Sequence, residues 1–522
     1  MKKIVSLLAC LVLAAIGLNA TVVSGKVSCN GAGIAGVSVS DGVKVVLTAA
    51  DGSYKLKTPL ELGYVFISVP SDYEAGTDGV IPRFFCRLDA SAKTAVADFE
   101  LSRVDQSKCN ILFFNDIHLT HDPVYHDVEL AQAGFFKDVR EHAAELAGVP
   151  LYAMTLGDMT TDSRWYKRHF GLPEYLEQLK GFPAPVFHVM GNHDNDIQGG
   201  SDDAACKPFR EVIGPYYWSV NIGGVHFVAL DDIVYDMPLN EEGRVAKVTS
   251  YKTFVEARQL AWLKNDLRNV PADTPVVIMT HAPFYRIKKA ENGVYDTYEG
   301  FSEGHSPDEV LYQLRGYKNV SVLSGHTHMN YYVEYGNGIL EHNCVAVAGS
   351  SWYTPPCCGS VLSSDGIPGG YAVYTIENGS FSWYYKPVGV PVEEGQFRAY
   401  DINRVPAQYR GKLAPNTVLV NVFNYDPAWK VRIVENGRDL AVRQTWVADP
   451  LYACAVEGKP FSQKGAFKPH KNSHMFTAQA SSPDSEVVII VTDRFGREFR
   501  QSFSRPAAFL FNPETKENLY RF

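Results

Sequence analysis

Little in this chain suits a membrane, a nucleic acid or a cysteine-built fold. Beyond Leu18 no apolar run approaches the ~20 residues that a membrane-spanning helix requires. Positive charge is not in excess: 49 Lys and Arg stand against 58 Asp and Glu, a net charge of −9. That excludes the broad basic face on which phosphate-backbone binding depends, so no nucleic-acid scaffold is expected. Nine cysteines are spread thinly over 522 residues, none in the paired C-x-x-C spacing of a zinc site. Cys357-Cys358 is a vicinal pair, which rarely bridges itself. There is no internal repeat and no long low-complexity linker.

The N-terminus does carry a signal. Met1-Lys2-Lys3 precedes an apolar run from Ile4 to Leu18, followed by Asn19-Ala20. Basic residues, a short apolar stretch and a small residue make a secretory signal peptide, with cleavage expected after Ala20. The mature protein is therefore expected to be exported, to a periplasm or cell surface, where disulfides are permitted. Leu8-Ala9-Cys10 lies too near the start to serve as a lipoprotein box.

Three regions follow. Residues 21–103 alternate apolar and polar positions, with Asp41-Gly42 and Asp51-Gly52 as turns, and read as a small β-sandwich. Its Gly36-Val37 and Ala50-Asp51-Gly52-Ser53-Tyr54 resemble a transthyretin-like or carboxypeptidase-regulatory-like module. Gly31, Gly33 and Gly36 match a dinucleotide-binding fingerprint, but the strand-like Val37-Ser38-Val39-Ser40 follows where that motif needs a helix. Residues 104–388 alternate strands with helical periods, as over Val128 to Ala147 and Phe254 to Leu267, and imply an α/β core. Ser306-Pro307-Asp308-Glu309 reads as a helix start. Residues 389–522 return to β patterning and read as an immunoglobulin-like domain. The fold class expected is multidomain α/β plus β.

Five short polar motifs in the middle region carry the chemistry. They are Asp116-Ile117-His118, Gly157-Asp158, Gly191-Asn192-His193-Asp194, Thr280-His281 and Gly325-His326-Thr327-His328. Each follows an apolar run of buried-strand character, and strand ends are where α/β sheets place their chemistry. Asp, Asn and His are oxygen and nitrogen donors that suit divalent Mn, Fe or Zn. Two metals about 3.5–4 Å apart need a bridging carboxylate, which Asp158 can supply. Asp116, His118, Asn192, His281, His326 and His328 complete two shells. The x-residue spacing of His326 and His328 lets both imidazoles face one side of an extended segment. His193 points away toward substrate, where a His with a carboxylate beside it can protonate a leaving alkoxide. Asp194 or Asp162 could orient it.

These motifs, in this order, resemble the calcineurin-like metallophosphoesterases over residues 108 to 348. The resemblance implies an αββα sandwich core, a first metal on Asp116, His118, Asp158 and His328, and a second on Asp158, Asn192, His281 and His326. It implies His193 as general acid or transition-state stabiliser, and a metal-bridging hydroxide attacking phosphorus in line, in a phosphodiesterase or phosphomonoesterase. With the flanking β-modules and Asp365-Gly366-Ile367-Pro368-Gly369-Gly370-Tyr371, the chain looks like the three-domain exported bacterial subgroup. Purple acid phosphatases carry Tyr where this chain has Thr161, so no tyrosinate-iron site is expected. Protein serine/threonine phosphatases carry Asp-Arg-Gly where this chain reads Thr161-Asp162-Ser163, which speaks against protein dephosphorylation.

Most of the remaining candidates read as structural or solvated. Asp194, Trp352 and Tyr353 are candidate substrate contacts, though the aromatic pair could simply cap the sheet. Arg164 and Arg286 could grip a phosphate, but surface cations usually do nothing of the kind. His188 and His226 lie in apolar runs and read as satisfied core residues. His121, His126 and His305 read as solvated. The opposing functional reading is a surface carbohydrate- or ligand-binding protein with an inactive core, against which the complete ligand set argues. A small-molecule, glycan or lipid phosphoester is the expected substrate, with oligomeric state left open.

Overall fold

The computed structural model describes residues 20–512 and 517–518, apart from 90, 237–239, 243–250, 290–294, 303–306, 336–337, 355–359 and 458–467. The leader before Ala20, with Cys10, and His305, Ser306 and Cys357-Cys358 lie outside the described residues. Among the described residues, Cys29, Cys86, Cys109, Cys206, Cys344 and Cys454 form no disulfide with one another, and no helix is long and apolar enough to cross a membrane.

Two mixed sheets stack at the centre. The first runs, in spatial order, Val186–Phe187, Leu151–Thr155, Lys108–Phe114, Gly370–Glu377 and Ser380–Pro387. The second runs Trp218–Ile222, Val225–Ala229, Val276–Met279, Val320–Ser324, Leu340–Asn343 and Tyr331–Glu334. Lys108–Phe114, Leu151–Thr155 and Val186–Phe187 are mutually parallel. So are the four strands from Val225–Ala229 to Leu340–Asn343. Parallel strands buried on both faces read as unbroken apolar runs, which is why Ile111 to Phe114 and Val276 to Met279 carry no alternation. Their C-terminal ends fall on one edge, and the polar motifs sit there.

Aromatic rings join the layers. Phe113 of the first sheet meets Phe227 of the second at 6.3 Å between centroids, and its neighbour Phe114 meets Phe135 of the covering helix at 5.2 Å. On the far face, helix Ala257–Leu267 is tied to the second sheet by His226, whose Nε2 lies 3.0 Å from Asp266. The order is helix, sheet, sheet, helix, as the resemblance implied.

The first helix departs from simple periodicity. It runs as Asp127–Ala131, a π-helical turn Gln132–Phe136, then Lys137–Glu145. The wider turn carries two consecutive residues, Phe135 and Phe136, to the buried side.

The N-terminal module packs a six-stranded and a four-stranded sheet. Gly31 and Gly36 take φ of +77° and +74° in turns, and strand Ser38–Ser40 follows, so the glycine fingerprint opens no helix. The module meets the core along one flank: Val69 O accepts from Asn221 N and Ser71 Oγ from Gly224 N, Gly42 O accepts from the Tyr217 hydroxyl at 2.7 Å, and Phe84 meets Trp218 at 5.7 Å. The C-terminal region packs two antiparallel four-stranded sheets. It also holds a helix, Pro450–Glu457, whose Leu451, Tyr452, Cys454, Ala455 and Val456 are all buried. That unbroken apolar face hid the helix from a periodicity argument.

Phe113 is a buried contact between the two central sheets, so Phe113→Ala is expected to lower unfolding free energy by about 3–5 kcal/mol. Urea denaturation followed by tryptophan fluorescence measures it. A loss under about 1 kcal/mol would show that this face is not where the sheets lock.

Candidate metal centre

The chain turns sharply as each strand ends. Asp116, His118, Asp158, His326 and His328 all adopt left-handed backbone, with φ between 50° and 70°. Asp and His enter that region more readily than most side chains, yet it still disfavours them by ~1–2 kcal/mol each. Strained backbone of this kind gathers at functional sites. It also changes the reading of Gly325-His326-Thr327-His328, which is not extended. The two imidazoles diverge into different clusters instead of sharing one face.

The first cluster holds Asp116, His118 and His328. His118 Nε2 and His328 Nε2 approach to 2.9 Å, and both face Asp116 Oδ1, at 3.6 and 3.3 Å. That oxygen is buried and accepts no hydrogen bond. The second cluster holds Asp158, His281 and His326. Asn192 Oδ1 lies 3.0 Å from both His281 Nε2 and His326 Nδ1. Asp158 Oδ2 sits between the clusters, 3.2 Å from His281 Nε2 and 3.6 Å from His118 Nε2.

The other ring nitrogens fix the tautomers. His281 Nδ1 donates to Leu156 O at 2.8 Å, and His328 Nδ1 to Gly349 O at 2.5 Å. His118 Nδ1 is 3.3 Å from the Thr161 hydroxyl, and His326 Nε2 3.5 Å from the Tyr251 hydroxyl. Anchored this way, each imidazole turns its other ring nitrogen inward, as metal-ligating histidines do. Converging ring nitrogens and carboxylate oxygens fit a divalent cation in each cluster, and in the first Asp116 Oδ1 is left without a hydrogen bond.

Burial disfavours charge on both carboxylates, but His328 and His118 hold Asp116 well below the usual carboxylate range, and His281 and His193 do the same for Asp158. Burial, then the charge of His281, pushes His326 down to about 3, so its Nδ1 lone pair stays available.

His193 stands apart. Its side chain is about 35% exposed, against 0% for His281, so it alone of this pair can meet a substrate. Nδ1 donates to Asp162 Oδ1 at 2.7 Å, while the backbone N–H is held by Asp158 Oδ1 at 2.7 Å. Burial opposes its charge, but Asp158 and then Asp162 outweigh it and raise His193 to about 9. Asp162 is therefore the orienting carboxylate.

Asp194 does neither task that the sequence suggested for it. It is fully buried, and its two oxygens accept backbone N–H from Asp158, Met159, Thr160 and Gly191 at 2.8–3.1 Å. It pins the two ligand turns together. Trp352 is also buried and donates through Nε1 to Ile117 O at 2.6 Å, between Asp116 and His118. Tyr353 is buried against Tyr125. The structure makes none of the three a cleft residue. His121 and His126 are exposed, and His188 and His226 are buried with ring-nitrogen partners, Tyr175 for the first and Asn221 and Asp266 for the second.

Sequence reasoning missed four contributors. Asp232 accepts from His281 N and Ala282 N, and follows the apolar run Val225 to Leu230, the same signal that marked the other motifs. Asn115 Nδ2 donates to Asp116 Oδ2. Tyr235 donates to Asn192 O at 2.7 Å, and Tyr251 flanks His326; neither has a sequence mark.

Family comparison agrees with this geometry. The calcineurin-like phosphoesterase family matches residues 109–330, its N-terminal domain residues 21–104 and its C-terminal domain residues 341–499. The chain belongs to the calcineurin-like phosphoesterases. A protein of Schizosaccharomyces pombe, uncharacterised, is 24% identical over 199 residues, which are 32% of this phosphoesterase and 43% of the yeast protein. Among solved structures, a dimetal phosphatase from Danio rerio is 14% identical with a TM-score of 0.34, over 52% of this chain and 98% of that one. Purple acid phosphatase PPD1 from yellow lupin (Lupinus luteus) seeds is 12% identical with a TM-score of 0.35, over 69% and 67%.

Two glycines of this phosphoesterase leave no room for a side chain. Gly157 has φ +94°, and a Cβ there would stand 2.4 Å from His281 Nδ1. At Gly191 it would stand 2.3 Å from Asp158 Oδ1. Gly191→Ala is thus expected to displace the shared carboxylate and to remove at least one of two bound metals while far-ultraviolet circular dichroism stays native. Elemental analysis after manganese loading and dialysis decides it; two metals retained would refute the crowding argument.

Proposed function

We propose that this chain is a dinuclear-metal phosphoester hydrolase acting outside the cytoplasm on a small-molecule, glycan or lipid phosphoester. The observation that carries the reading is the convergence of two donor clusters on Asp158 Oδ2, with His193 held at the rim by Asp162. Asp116, His118, Asp158 and His328 would hold one cation, and Asp158, Asn192, His281 and His326 the other. Bound there, a pair of divalent ions supplies a nucleophilic water of lowered pKa and Lewis-acid polarisation of phosphoryl oxygens.

The chain's own residues do the rest. Asn192 contributes a neutral oxygen, which leaves the cluster electrophilic toward an anion. His193, with Nδ1–H committed to Asp162, presents Nε2–H outward and gives that proton to the departing oxygen. Arg286 supports an anionic substrate. Along strand Tyr285–Lys289, Tyr285 turns to Asp308 and Tyr335, so alternation sends Arg286 to the opposite face. There its charge reaches His326 and Tyr251, and its buried Nε has no partner. The leader sequence Met1 to Ala20 supports export.

His193→Ala should lower kcat toward bis-aryl and mono-aryl phosphates by about 10²–10⁴-fold with metal content unchanged. Asn192→Ala should lose both activity and metal. Double-digit percentage activity in both variants would overturn the assignment. The pH profile gives a separate check. His193 carries its proton below its raised pKa and loses it above, so turnover falls on the alkaline side. Metal ions on Asp158 move that limb below the value of about 9 set by the protein charges alone. The limb should vanish in His193→Ala; its persistence there would assign it to another group.

A further inference from the structure

We infer that the C-terminal β-region is part of the metal centre: Tyr452, His474 and Asp365 are positioning residues for His328 and Asp116. The inference rests on the metal reading above and extends it to residues outside the five motifs.

Residues 347–352 form a strap beneath the first cluster. Val347 N and Ala348 N donate to Asn115 O and Asp116 O at 3.0 and 3.1 Å. Gly349 O takes the Nδ1 proton of His328, and Trp352 Nε1 holds Ile117 O. Gly349, Ser351 and Trp352 all have positive φ, between 51° and 61°, so the strap needs support to keep its shape. That support comes from the C-terminal region. Tyr452, on helix Pro450–Glu457, hydrogen bonds through its hydroxyl to Ser350 Oγ at 2.7 Å, one residue from the carbonyl that orients His328.

A second route reaches the same ligand from its other side. Asp365 is fully buried, and its Oδ2 accepts the Asn330 N–H at 2.8 Å, two residues past His328. The same oxygen lies 3.3 Å from His474 Nε2, while His474 Nδ1 meets Asn421 Oδ1 at 2.7 Å. Asn421 and Asn472 both donate to Asp365 O, at 3.0 and 3.2 Å. Asn421, Asn472 and His474 belong to the C-terminal strands Thr417–Val422 and Lys471–Gln479. Two hydrogen-bond paths, joined at Asp449 through Tyr452 N and Asn421 Nδ2, therefore converge on one imidazole. Outer partners of metal ligands commonly change affinity by about 10–100-fold when removed.

The test uses the full chain with Mn²⁺ as probe. Metal affinities are measured by equilibrium dialysis for wild type, Asp365→Asn and Tyr452→Phe, the latter removing a single hydroxyl. Arg494→Met is the control. It breaks the Arg494–Asp426 pair at the same face of the C-terminal region, without touching the strap or residues 326–330. The expected result is two sites in wild type and one of them weakened about tenfold or more in Asp365→Asn and Tyr452→Phe, with KM nearly unchanged and kcat reduced. Arg494→Met should keep both affinities within about twofold even where its melting temperature falls as far. Wild-type affinities in both test variants would overturn the inference, as would equal weakening in Arg494→Met, which would mean that stability alone is being read. Absence of any Mn²⁺ binding by wild type would overturn the metal reading itself.

Discussion

Everything at this site follows from burying two carboxylates together. Asp116 and Asp158 are both shut off from water, and stripping water from a carboxylate costs several kcal/mol unless opposite charge or donors replace it. The surrounding imidazoles can meet that need by taking up protons: burial opposes charge on His281 and His328, but Asp158 and Asp116 outweigh it and raise His281 to about 10 and His328 above its ordinary value. His281 and His328 spend their Nδ1–H groups on backbone carbonyls. Their Nε2 atoms face the carboxylates, where a divalent cation can take the place of the protons. The glycines that let strand ends pack together, the Asp194 nest and the Tyr235 contact to Asn192 all serve to hold those like-charged edges in place.

That demand explains the backbone. A regular strand or helix end would splay the donors apart, while a left-handed residue at each turn folds the side chain back over the sheet edge. Five left-handed Asp and His residues store strain that only a stiff frame can hold. The parallel strands provide it, because they deliver Asp116, Asp158, Asn192, His281 and His326 to one edge with registers fixed by backbone hydrogen bonds.

The same logic divides what could be read from the sequence from what could not. Strand ends were legible because apolar runs followed by Asp, Asn or His are conspicuous, and Gly before Asp158, Asn192 and His326 marks close packing. The two β-sandwiches were legible from alternation and Asp-Gly turns. The resemblance divided His326 and His328 between two metals, but the left-handed turns that do it were not legible, since a positive φ in a non-glycine residue is set by tertiary contacts such as Asp116 Oδ2 accepting from His326 N. Asp194 looked like a site residue because it is charged and adjacent; only the four N–H groups around it reveal a structural role. Thr161 was noted as the place where a tyrosine is missing. In the folded chain its hydroxyl orients His118, a positive role that no motif announces.

The two flanking β-regions are not equivalent, and their placement says why. The N-terminal module touches the core at Asn221 and Gly224, the turn that begins strand Val225–Ala229, and at Val186, where another strand starts. It also packs Phe84 against Phe187 and Trp218 and takes the Tyr217 hydroxyl on Gly42 O, which stiffens the flank of both sheets. The C-terminal region instead grips residues 350 and 363–367, which lie on the donor edge. A domain seated there changes the geometry of the donors whenever it shifts. Its buried hydrogen-bond network through Arg398, Tyr400, Asn421, Asp449 and His474 is what such a position requires, because an apolar contact would allow sliding that directional bonds forbid.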